Sequence, residues 1–82
     1  MFRKKKRSFI IMDGSDKDYV KEIRALCKMI MGRVRIKIRK LDGSHPTMKV
    51  VTIKTNNCRN WHDLRKILER DHSEQCVFDA PL

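Results

Sequence analysis

The chain predicts an α+β domain in the order strand, helix, strand, strand, helix, strand, and three observations carry that reading. Within 33–40, residues 33–39 alternate strictly between cations and β-branched apolar residues, the period of a half-buried strand. Two stretches, 19–30 and 61–68, instead repeat apolar residues every three or four positions behind capping residues, the period of a helix. The runs 8–13 and 47–55 hold apolar side chains for both faces, as an interior strand does.

Residues 8–13 form the first strand, and Gly14 breaks it. Ser15 with Asp18 three positions later makes a capping box. Tyr19, Val20, Ile23, Leu26, Cys27 and Ile30 then form one apolar stripe until Gly32 stops the helix, with Lys17, Lys21, Arg24 and Lys28 on the opposite face. In 33–40, Val34, Ile36 and Ile38 turn to a core while Arg33, Arg35, Lys37 and Arg39 line the other face as a cationic comb. Asp42, Gly43, Ser44, His45 and Pro46 suit a hairpin turn, which returns through 47–55, where Val50, Val51 and Ile53 again serve both faces. Asn60 and Asp63 cap a second helix over 60–71 with core residues Trp61, Leu64, Ile67 and Leu68, and 76–79 makes a last short strand ahead of Pro81.

That order is the split βαβ unit of a ferredoxin-like fold: a βαββαβ sandwich whose four-stranded antiparallel sheet carries two helices on one face. The first and third strands then lie centrally, and the comb faces solvent on the other side. The alternative is a ubiquitin-like ββαβ roll with an extra N-terminal strand and helix, because 34–68 also fits a hairpin followed by a helix.

Charge points to a partner. Twenty Lys and Arg against ten Asp and Glu give +10 on 82 residues, with an isoelectric point near 10.0. Self-repulsion on that scale is relieved by a polyanion. Alternate residues of a strand lie roughly 6.6 to 7 Å apart, close to the phosphate spacing of a nucleic-acid strand. Arg33, Arg35, Lys37, Arg39 and Lys54 are therefore candidate phosphate contacts. Arg3, Lys4, Lys5, Lys6 and Arg7, with no apolar residue among them, are expected to form a flexible basic arm over 1–7, leaving 8–82 as a single domain.

The topology resembles RNA-recognition motifs, which bind single strands across this sheet face. Their third strand carries aromatic residues for base stacking, whereas 47–55 has none and Phe9 is the sole aromatic near the matching first-strand position. The expectation is a non-catalytic RNA-binding protein that holds phosphates with little sequence preference, single strands being preferred and DNA remaining open.

Two other readings stand beside it. A small basic domain could dock on an acidic protein surface, as an inhibitor of a nuclease or toxin of viral or phage type, with Met48 and Val50 as apolar anchors. A metal-dependent ribonuclease would use Asp13, which with Asp16 and Asp18 nearby is similar in placement to the strand-end Asp of small ferredoxin-like CRISPR-associated nucleases. Asp16 and Asp18, however, fall in a first helical turn, where carboxylates complement the helix dipole. With no nucleophile and base at informative spacing, the chain is read as no enzyme.

Cys58, His62, His72 and Cys76 resemble the CHHC zinc fingers of some RNA-processing proteins, whose last His and Cys share this spacing. Their first gap is two residues longer. A helix over 60–71 would also hold His62 and His72 roughly 15 Å apart, so no metal or other cofactor is assigned. Three cysteines without a CxxC pair suggest neither a disulfide framework nor a redox motif and fit a reducing compartment. Residues 9–12 are too short for a signal-peptide core, and no run approaches the roughly 20 apolar residues of a membrane span. The expected location is the cytoplasm, or the nucleus in a eukaryote, and the small core leaves room for a homodimer.

Overall fold

The structure, a computed structural model, describes residues 4–41, 43 and 46–79. Arg3, the turn residues Asp42, Ser44 and His45, and Pro81 lie outside the described residues. The elements are β1 (Lys5–Ile11), α1 (Lys17–Met31), β2 (Arg35–Lys40), β3 (Lys49–Thr55), α2 (Cys58–Asp71) and β4 (Cys76–Val77). One antiparallel sheet runs β2-β3-β1-β4. This is the ferredoxin-like order, with β1 and β3 central, and it replaces the hairpin-first roll held as the alternative.

The core lies between the sheet and the helices. Phe9 and Ile11 of β1, Val51 and Ile53 of β3 and Ile36 of β2 meet Ile23 and Cys27 of α1 and Leu64 and Leu68 of α2. Ile11, Ile23, Ile53, Leu64 and Leu68 are fully buried, each contributing about 1.5–3 kcal/mol of transfer free energy. Trp61, Phe9 and Phe78 stack into one aromatic cluster, with Phe9 to Phe78 centroids 5.1 Å apart. The Tyr19 hydroxyl and His72 Nδ1 share a hydrogen bond of 2.8 Å, tying the start of α1 to the end of α2.

Several boundaries move for identifiable reasons. β1 starts at Lys5: Lys5, Lys6 and Arg7 pair with Thr55, Lys54 and Ile53, so three residues expected in the arm belong to the sheet. The helix cap is Asp16, whose Oδ1 accepts from the Asp18 and Tyr19 amides at 3.1 Å each. Ser15 is instead taken up by the Asp13 carboxylate, which accepts from its amide and hydroxyl. α2 begins at Cys58 behind Asn57, whose side chain accepts from the Asn60 amide at 2.9 Å. Gly32 ends α1 at φ 77°, a left-handed value that favours glycine, and Arg33 stands in the connection before β2. The return strand starts at Lys49 because Pro46 and Thr47 are in a turn, and β4 is cut to two residues.

Candidate nucleic-acid interface

Alternation along each strand decides which side chains reach the helix-free face. β1 contributes Lys6, Ser8 and Ile10, β3 contributes Lys54, Thr52 and Val50, and β2 contributes Arg35, Lys37 and Arg39. The register aligns them in three rows. Lys6, Lys54 and Arg35 stand abreast, then Ser8, Thr52 and Lys37, then Ile10, Val50 and Arg39, the last row continued by Val77 of β4. The cations thus trace a corner, three across one end of the sheet and two more along β2. Ile10, Val50 and Val77 fill the diagonal position with apolar surface.

Lys6, Arg35, Lys37, Arg39 and Lys54 are all exposed, and with Thr52 they line a single hollow. Thr52, only 6% exposed, forms its floor. The face holds no carboxylate among the described residues. The ion pairs among the described residues, Arg65 with Glu69 and Asp79 and Arg70 with Asp71, involve residues of α2 and the segment after β4, away from this face. Neighbouring strands lie about 4.8 Å apart, so the row of three places like charges side by side with no counter-charge on that face.

Five of the ten predicted contacts therefore converge. Lys5 and Arg7 have the opposite parity and point to the helix side, where Arg7 is half-buried with Nη2 3.9 Å from Cys58 Sγ. Arg33 sits in the α1–β2 connection, and Lys4 precedes β1. The sequence places Lys6 in the arm, because a run of cations carries no period-2 apolar signal. Its place on the face follows only from the length of β3 opposite it.

Stacking is not available on this face among the described residues. Phe9 is 2% exposed on the helix side, held between Trp61 and Phe78. Asp13 lies past the end of β1, and hydrogen bonds from Ser15 hold its carboxyl below the usual carboxylate range. Among the described residues no three His, Cys, Asp or Glu side chains gather where a metal ion could sit. Cys58 opens α2 and His72 follows its last residue, so the helix holds them about 20 Å apart. Burial pushes the Cys27 thiol up to about 12 and raises that of Cys76 as well. Both thiols therefore stay protonated and unreactive. Among the described residues no helix is long and apolar enough to cross a membrane. No family model, curated protein or solved structure matches the chain.

Proposed function

We propose that this protein is a small non-catalytic RNA-binding domain that holds the phosphate backbone of a single strand across the helix-free face of its sheet. The observation that carries the reading is the row Lys6, Lys54 and Arg35 on three adjacent strands. Like charges directly opposite one another are destabilising by roughly 0.2–1 kcal/mol per pair, and a bound polyanion turns that repulsion into attraction.

The corner traced by the five cations favours a chain that can turn. A single strand can cross from Lys6 to Arg35 and then follow β2 to Lys37 and Arg39, whereas a stiff duplex meets only part of the path. Phosphate contacts fix position without reading bases, so sequence preference is weak. Val50 and Val77, both half-buried, offer apolar contact that any base can use.

The test is a salt titration on single- and double-stranded RNA and DNA. Neutralising five phosphates on a single strand gives a log-log slope near −3.5, from about −0.7 per phosphate. A slope close to zero, or duplex bound more tightly than single strand, refutes the proposal.

A further inference from the structure

We propose a second binding site on the outer edge of β1, where an extended acidic peptide adds to the sheet as a strand. β1 pairs with β3 along its whole length, from Lys5 to Ile11, but β4 pairs only with Ile10 and Ile11. The Met12 amide donates to the Gln75 carbonyl at 2.8 Å, so even-numbered residues of β1 address the β4 side. By the alternation of an antiparallel ladder, the amides and carbonyls of Ser8 and Lys6 point to the stretch of edge beyond β4.

The described chain does not follow that edge after Val77. Phe78 turns its ring onto Phe9 and Trp61, and Asp79, at φ 58°, pairs with Arg65 of α2. The strand is drawn toward the helix layer, and a hollow remains between β1 and the segment that left it, lined by Lys6, Ser8, Phe9, Trp61, Arg65 and Phe78 among others. The other edge of the sheet is treated differently. There Arg24 of α1 reaches the outward carbonyl of Ile36 on β2 at 3.4 Å.

Charge selects the occupant. Lys5, Lys6 and Arg7 lie consecutively along the open stretch, Lys6 on one face and the other two on the opposite face. A second copy of this strand, laid antiparallel across it, would bring two such triplets together, an unfavourable cross-strand arrangement. A strand with acidic residues on both faces matches them, and an apolar side chain beside Phe9 enters the aromatic hollow. Main-chain hydrogen bonds supply affinity in this mode and the side chains supply selectivity.

The probe is a fluorophore-labelled, amidated eight-residue peptide with consecutive Glu residues on either side of a central Val-Phe pair, so that carboxylates fall on both faces of the strand, titrated against the full chain by fluorescence anisotropy and by amide chemical shifts. Binding is expected to shift the Lys6 and Ser8 amides most. Ser8→Pro removes an edge donor while leaving the β3 ladder, made by the neighbouring residues, intact. It is expected to weaken the peptide at least tenfold, with thermal unfolding as the check on folding. Lys5→Glu with Arg7→Glu, which leaves the backbone alone, is expected to do the same. Arg35→Glu with Lys37→Glu should retain peptide binding, so a failure of RNA binding and a failure of this site are read separately.

Peptide binding lost in the Arg35 and Lys37 variant but kept in Ser8→Pro overturns the proposal in favour of the open face. A dimer that Ser8→Pro dissociates overturns it in favour of self-pairing. Binding seen only after deletion of residues 80–82 overturns it in favour of an edge already filled by the chain itself.

Discussion

Lys6 and Lys54 stand directly opposite one another on β1 and β3, both exposed on the helix-free face, with Arg35 beyond Lys54 on β2. A folded protein alone gains nothing from this arrangement, which makes stability and binding oppose each other at one position. Lys54→Thr places a β-branched residue between two cations. By removing two like-charge pairs it is expected to stabilise the free protein by about 0.4–2 kcal/mol at low salt, read as a rise in melting temperature. The gain should vanish near 1 M salt, where the Debye length is about 3 Å. The same variant should weaken single-stranded RNA and reduce the magnitude of the salt slope by about 0.7. Calorimetry with and without salt, beside an RNA titration, checks both halves.

Truncation separates the residues before the sheet from those in it. Deleting residues 1–4 leaves all of β1 in place and is expected to reduce the magnitude of the salt slope by no more than about 1.4, for Arg3 and Lys4. Deleting 1–7 removes the partners of Ile53, Lys54 and Thr55 and should lower the melting temperature sharply. Equal melting temperatures for the two truncations would return Lys5, Lys6 and Arg7 to a free arm.

The α1 cap gives a stability test one residue wide. Asp16→Ala removes the acceptor for the Asp18 and Tyr19 amides and is expected to cost about 1 kcal/mol, whereas Ser15→Ala should cost much less. Urea unfolding of the two variants distinguishes them. The reverse ranking would restore Ser15 as the cap.

Thiol chemistry follows burial. At pH 8 a disulfide reagent is expected to titrate one thiol, the exposed Cys58, and to reach buried Cys27 and Cys76 only after unfolding. The raised thiols also set the alkaline limit. In the unfolded chain Cys27 and Cys76 ionise near their ordinary value of 9.0, while the folded protein keeps them protonated. The folded state then binds more protons, so stability falls as pH rises from about 9 toward 12. Melting temperatures measured across that range should decline, and a flat profile would count against the burial of both thiols.

Asp13 is committed to the turn before α1. The Ser15 bonds that lower its carboxyl describe a local acceptor, and Asp13→Asn keeps an oxygen in the same place. Neither the native chain nor this variant is expected to cleave RNA with magnesium or manganese. Divalent-dependent cleavage lost in Asp13→Asn would identify a catalytic site.

Periodicity makes the topology legible in the sequence. The alternation in 33–40 marked β2 as an edge with one wet face, and the two-sided runs marked β1 and β3 as interior. What stayed hidden depended on partners distant in sequence. Lys6 enters the sheet because β3 extends to Thr55 opposite Lys5, and no local pattern in a run of cations signals that. The choice of Asp16 over Ser15 turns on Asp13, two positions before the serine, capturing its hydroxyl and leaving the cap to Asp16, one position after it. The shortness of β4 reflects Phe78 preferring an aromatic cluster to the ladder, a tertiary choice between two reasonable uses of one residue.

The pairing of β1 with β3 also fixes an order of events during synthesis. β1 leaves the ribosome first, yet every partner it has on β3 lies beyond α1 and β2. At about 5–20 residues per second, β1 waits a few seconds for its neighbour. α1 and the β2–β3 hairpin can form from local contacts in that interval, whereas β1 must close a long loop to join them. The nascent chain therefore carries its densest positive charge on a strand still seeking its place, next to the ribosome's own RNA.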